Sequence, residues 1–212
     1  MKNVIKIMTV IVVAMLTVTA SAQDPQVKFY LSISHEIADY PDWRIVFDKL
    51  NPDRMKAGIA DIFVKKNINN TNSITIFSEV KDVNKAKAFM SGTKIQEAMA
   101  KAGVVSTPEI IYYKSAKAYE TINTAALVTT ITHRVANFSA WKVVYESAEK
   151  LRRSADVNDH LLLRSLSDEN VITVLGTSPS AAKFNKFMSN PNLQATMEKA
   201  GVLSKPEVAI LL

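Results

Sequence analysis

The chain has 212 residues, 48% hydrophobic and 22% charged, a globular composition that excludes a disordered or fibrous protein. Its 26 basic and 20 acidic side chains give a net charge of +6, and it contains no cysteine. Disulfides, thiolate catalysis, cysteine-ligated zinc and a lipid anchor on an N-terminal cysteine are therefore excluded.

Lys2 and Lys6 open the chain, Ile7 to Val18 is almost wholly apolar, and Ala20-Ser21-Ala22 supplies small residues before Gln23. This is the layout of a secretory signal peptide over 1–22, followed by a short leader, 23–27. A membrane anchor is the rival, but it needs about 20 apolar residues where this run has about 12. Cleavage leaves 190 residues with an excess of four positive charges. The expected product is exported, periplasmic or secreted, with no later stretch apolar enough to span a bilayer. Its basic pairs, Lys65-Lys66 and Arg152-Arg153, are isolated and lack interleaved aromatics, so nucleic acid is not an expected partner.

Phe29 to Glu36 alternates and reads as a strand. Asp39 and Pro41 then mark a helix start, and Tyr40, Trp43, Phe47 and Leu50 form one apolar stripe at helical spacing. Asn51-Pro52 kinks or ends that helix. Ile59 to Lys66 and Ser73 to Val80 are two more strands, with Asn69-Asn70 in the turn. Asp82 caps a helix carrying Val83, Ala86, Phe89 and Met90. A second short helix runs to Ala102, Gly103 stands just past its end, and Pro108 opens a last strand from Glu109 to Tyr113.

The same order then returns. Shifted by 98, residues 28–114 lie on 126–212 without a gap, and about a quarter of the pairs are identical. Residues 34–43 lie on 132–141, pairing His35 with His133 and Trp43 with Trp141. Phe89-Met90-Ser91 lies on Phe187-Met188-Ser189, and Lys101-Ala102-Gly103-Val104 on Lys199-Ala200-Gly201-Val202. The chain is thus two homologous units, 28–114 and 126–212, joined by a linker over 115–125. The second unit has Glu149-Lys150 where the first has Asn51-Pro52, so its helix is expected to run on to about Ala155. Strand, helix, strand, strand, helix, strand is the ferredoxin-like split βαβ order, an α+β unit with helices on one face of an antiparallel sheet. The bare face needs a cover, and the second unit supplies it. Two sheets face to face enclose a barrel where a small, partly apolar ligand can sit.

The His-x-(Val/Ile)-x-(Asp/Asn)-(Tyr/Phe)-x-x-Trp start of each unit, a later Arg, and a closing Met-x-x-Ala-Gly-Val-x-x-x-Pro resemble the dimeric α+β barrel proteins. Antibiotic-biosynthesis-monooxygenase-like proteins are among these. The resemblance spans residues 28–212 and implies the fold. It also implies that a pair normally made by two chains is fused here into a monomeric pseudo-dimer. For function it implies only a range: cofactor-independent oxygenases, isomerases and haem enzymes share this fold.

Residues that could carry chemistry come in pairs. His35 and His133 end the first strand of each unit and could act as a general base or ligand, or simply pack at the sheet edge. Trp43 and Trp141 lie on the helical stripe, which suits core packing; oxygenases of the resembled family use an aromatic near substrate. Arg54 and Arg152 stand eleven residues beyond each Trp, close to three helical turns. They could bind a carboxylate or enolate-like anion, or cover the core edge and meet the helix dipole. Ser32, Ser34, Thr130 and Thr132, on the opposite face of the first strands, could line a wet cavity between the sheets, with Thr75 and Thr173 adding hydroxyls. Asp61 and Asp159 are one recurring strand carboxylate. His160 has Ile62 as its counterpart and belongs to no repeated site. The halves also differ at Glu36/Arg134, Gly58/Asp156 and Glu79/Thr177, so they need not do the same thing. No nucleophile elbow, phosphate loop or zinc helix occurs, so neither a metal nor a cofactor is expected. Three roles follow as expectations: a binding module for a small molecule, a cofactor-independent monooxygenase- or isomerase-like enzyme using His, Trp and Arg, or an envelope protein-interaction module.

Overall fold

Alternation along β1 (Phe29–Glu36) sends Leu31, Ile33 and His35 to one face and Tyr30, Ser32 and Ser34 to the other. That division organises the molecule. The computed structural model describes residues 27–212; the expected signal peptide and nearly all of the leader lie outside the described residues. After β1 come α1 (Tyr40–Lys49), α2 (Asn51–Lys56), β2 (Ile59–Asn67), β3 (Asn70–Val80), α3 (Val83–Met90), α4 (Thr93–Lys101) and β4 (Glu109–Ala118). The second unit repeats them as β5 (Leu127–Arg134), α5 (Phe138–Ser147), α6 (Glu149–Ser154), β6 (Asn158–Ser165), β7 (Val171–Ser178), α7 (Ala181–Met188), α8 (Pro191–Lys199) and β8 (Glu207–Leu211).

Local chemistry fixes the boundaries. Asp39 holds an extended backbone, and its carboxylate accepts from the Asp42 N–H to start α1; Asn137 does the same for α5. Asp82 caps α3 by accepting from two backbone N–H groups. Gly103 and Gly201 end α4 and α8 at φ of 72° and 76°, a conformation that favours glycine.

Two expectations change. The second unit's first helix does not run on to Ala155; it breaks at Ala148, as the first unit's breaks at Leu50. The first unit breaks at Asn51-Pro52 as expected, but the second breaks without a proline. In each unit an arginine from the next turn donates to the helix-end carbonyl, Arg54 Nη1 to Phe47 at 2.7 Å and Arg152 Nη1 to Tyr145 at 2.6 Å. That carbonyl, which also accepts from the backbone N–H three residues on (Leu50 or Ala148, 3.2 Å each), no longer needs the N–H four residues on. Second, β4 continues to Ala118, so the expected linker begins as strand, pairing Lys117 with Leu162 and Ala118 with Leu161.

The strands close into one antiparallel barrel in the order β1-β3-β2-β8-β5-β7-β6-β4. The seams lie between β2 and β8, at Asn67 and Leu211, and between β4 and β6. Closure leaves no unpaired sheet edge among the described strands. Helices cover the outside of the barrel and build outer cores around Trp43 in the first unit and Trp141 in the second. The inner core is shared unequally. The first unit contributes Tyr30, Phe63, Phe77 and Tyr113, where the second, at equivalent positions, contributes Val128, Leu161, Leu175 and Leu211. Tyr30 and Phe63 both stack on Phe77, with ring centroids 5.3 and 5.4 Å apart. No helix among the described residues is long and apolar enough to cross a membrane.

Candidate functional site

His35 faces the helices because it shares the face of Leu31 and Ile33. The stripe on α1 brings Trp43 over it, and the indole N–H donates to His35 Nε2 at 3.0 Å. Trp43 stacks on Phe47 at 4.7 Å, and the Arg54 guanidinium lies over the Phe47 ring at 3.6 Å. Arg54 closes the row on Asp61 of β2, through Nε at 2.9 Å and Nη2 at 2.8 Å. The Ser78 hydroxyl donates to the other Asp61 oxygen at 2.9 Å. Apart from His35 Nδ1, the polar atoms of this row are paired.

The second unit builds the same row and leaves it open. Trp141 stacks on Tyr145 at 4.7 Å, Arg152 lies over Tyr145 at 3.8 Å, and Arg152 Nε holds Asp159 at 2.8 Å. His133 sits 5.4 Å from Trp141, centroid to centroid, yet neither of its ring nitrogens has a hydrogen-bond partner among the described residues. Gly176 stands where the first unit has Ser78, and Asp159 Oδ1 is buried without a donor. A Cβ on Gly176 would lie 2.7 Å from the Asn158 carbonyl oxygen, so β6 runs too close to β7 for serine. Tyr145 replaces Phe47 and brings a buried hydroxyl without a partner; the linker's Tyr119 brings another. Thr129 replaces Leu31 and Ala148 replaces Leu50 in the same wall.

Burial governs the electrostatics. It lowers both His35 and His133 to about 4, so each imidazole is neutral at neutral pH. Burial, reinforced by the Asp159 carboxylate, lifts the Tyr145 and Tyr119 phenols well above their ordinary range and keeps both protonated. The second-unit chamber therefore offers a neutral imidazole, one neutral phenol and one carboxylate oxygen, surrounded by Ile131, Val174, Phe187, Leu193 and Met197. Its cavity is about 50 Å³, against about 40 Å³ in the first unit. About one water-sized sphere needs roughly 10–15 Å³ on this scale.

Each unit thus collects its own His, Trp and Arg in the layer between helices and sheet. Each arginine is already paired, with Asp61 or Asp159 and with a helix-end carbonyl, so neither presents an unpaired charge to an anion. Ser32, Ser34, Thr130 and Thr132 are held apart from these rows on the opposite sheet faces, where they line a cavity of about 250 Å³ inside the barrel. His160 is bracketed by the Thr177 hydroxyl at 2.9 Å and the Glu120 carbonyl at 3.3 Å, and so fastens the linker. Sequence reading missed Thr129, Tyr145 and Gly176. The signal was present as differences between the two copies, at Leu31/Thr129, Phe47/Tyr145 and Ser78/Gly176. Among the described residues no group of three or more His, Asp or Glu side chains is placed to hold a metal ion.

No protein-family model matches the chain, and no curated protein matches it in sequence. Solved structures do match in fold. An anthrone oxidase-like protein superposes with a TM-score of 0.62 at 7% identity, covering 87% of this chain and 90% of its own. A ferredoxin-fold protein from Listeria monocytogenes, described as related to antibiotic biosynthesis monooxygenases, gives 0.50 at 11% identity, covering 88% and 96%. A monooxygenase-like protein from Listeria innocua gives 0.50 at 11%, covering 88% and 95%. Identities this low speak for the fold alone. The chain has the fold of the antibiotic-biosynthesis-monooxygenase-like dimeric α+β barrel proteins, with both ferredoxin-like units carried on one polypeptide.

Proposed function

We propose that the protein is exported and acts as a monomer. It holds one small, mostly apolar molecule, bearing one or two polar atoms, in the helix–sheet chamber of the second unit. The first unit serves as its structural partner. The observation that carries this reading is the contrast between the rows. His133 keeps both ring nitrogens unpaired among the described residues, and Tyr145 and Asp159 add a buried hydroxyl and carboxylate oxygen with only each other within reach, where the first unit pairs Asp61 and His35 Nε2 and has phenylalanine in place of tyrosine. Buried polar groups left without partners are costly, and a ligand or the waters it displaces would satisfy them. A mostly apolar wall with a few convergent polar groups is the general form of a small-molecule site. Export rests on the basic start, the apolar run and the Ala-Ser-Ala cleavage pattern.

The test is native mass spectrometry of the protein purified from its own cell envelope, beside Tyr145→Phe. Phenylalanine is safe at that position because the first unit carries it there. A retained mass on the wild type that is lost or reduced at least tenfold in Tyr145→Phe supports the reading. A bare wild-type chain, or a ligand held equally by both proteins, overturns it.

One observation favours a second, catalytic reading. His133 is a neutral imidazole with both nitrogens unspent, able to take a proton from an activated C–H or O–H of a bound molecule. The monooxygenase-like and anthrone oxidase-like names of proteins with this fold point the same way. In that reading Arg152 is a positioning residue that fixes Asp159 and Tyr145. Once a ligand is known, His133→Gln should abolish its turnover but not its retention.

A further inference from the structure

The barrel interior is a second chamber, on the other side of both sheets. Its symmetry follows from the strand order. Going round the barrel, β4-β1-β3-β2 is followed by β8-β5-β7-β6 in the same sense, with β1 and β5 running the same way. The pseudo-twofold axis relating the units therefore runs along the barrel, and equivalent residues meet at the same mouth. At one mouth these are Ser34 and Thr132, Thr75 and Thr173, and Glu109 and Glu207. The two glutamates start β4 and β8, strands on opposite sides of the barrel.

Three features of this chamber are unspent. Its volume is about 250 Å³, and among the described residues no basic side chain lines it; Lys65, on the inward face of β2 with Phe63, carries its ammonium to the Ala126 carbonyl at 3.1 Å. Glu109 and Glu207 are exposed at the mouth and belong to none of the ion pairs among the described residues. Tyr113, only 3% exposed, accepts from the Thr173 hydroxyl at 3.4 Å, while its own hydroxyl proton meets no acceptor among the described residues. Below these groups the lining turns apolar, with Phe63, Phe77 and Leu175.

We propose that this chamber binds a small hydroxylated amine, a molecule of the amino-alcohol or amino-sugar class. Its ammonium lies between the Glu109 and Glu207 carboxylates, and one of its oxygens accepts from Tyr113. The paired hydroxyls of Ser34 with Thr75 and Thr132 with Thr173 supply further donors and acceptors. The aromatic floor takes the carbon face of the ligand. The carboxylates also bear on Tyr113 itself: burial, helped by Glu109 and Glu207, pushes its phenol up to about 12, so it remains a donor. This site is independent of the second-unit chamber, and the failure of either leaves the other standing.

The experiment is titration calorimetry of the full chain with glucosamine and with ethanolamine, using glucose as the uncharged comparison. Saturable binding of at least one amine is expected. It should exceed glucose binding by tenfold or more and weaken as salt rises. Glu109→Gln with Glu207→Gln should weaken it at least tenfold at unchanged thermal stability, because both side chains are exposed. Tyr113→Phe should weaken it severalfold. Absence of saturable binding for both amines, glucose binding as tightly, or binding untouched by the double glutamine variant would each overturn the proposal.

Discussion

Trp141 is 2% exposed, stacks on Tyr145 and faces His133. Truncation to alanine should cost about 3–5 kcal/mol, read from urea denaturation, because the helix layer cannot collapse into the space. The histidines give the fold a pH dependence of known sign. Each has a folded pKa of about 4, below the ordinary 6.5, so the unfolded chain binds more protons between those values. Their contribution is fully present above pH 6.5 and is lost as pH falls towards 4, by up to about 3 kcal/mol for each ring. His133→Leu should flatten the slope of stability against pH over that window by about half; an unchanged slope in urea melts at stepped pH would refute it. At this scale the repeated residues were legible, because identity across the two copies marks them. The unpaired atoms were not, since they arise where the copies differ and only packing shows which differences meet.

The elements followed the apolar pattern closely, and the helix breaks show its limit. A run such as Phe138 to Ala155 has no residue that must stop a helix, so periodicity carried it through. What ends α5 is a tertiary contact, the Arg152 head on the Tyr145 carbonyl, itself anchored by Asp159 on β6. Arg152→Met should therefore do two things. It removes the partner of a buried carboxylate, costing about 3–5 kcal/mol in chemical denaturation. It also lets α5 and α6 merge, which amide exchange at Glu149, whose N–H then reaches the Tyr145 carbonyl, would register as slowed rather than hastened exchange relative to neighbouring turns. Arg152→Lys keeps the charge but cannot reach carboxylate and carbonyl together, so it should recover only part of the loss.

The architecture of the whole molecule was legible from one number, the offset of 98 between the copies. Two half-covered sheets in one chain must cover each other, and the barrel does so. The division of the inner core was not legible, because Tyr30, Phe63, Phe77 and Tyr113 become partners of Val128, Leu161, Leu175 and Leu211 only once the strands close. The halves made separately, 27–118 and 119–212, should associate when mixed, and each alone should remain unfolded or aggregate; size-exclusion chromatography of each and of the mixture decides this. The reason lies in bulk. Two copies of the first half would bring eight aromatic rings and a second buried lysine, Lys65, where the barrel holds four rings and one lysine, while two copies of the second would bring neither. If the separated halves pair only with each other, the inner core works as a lock, and neither half can be captured by its own kind in a neighbouring molecule.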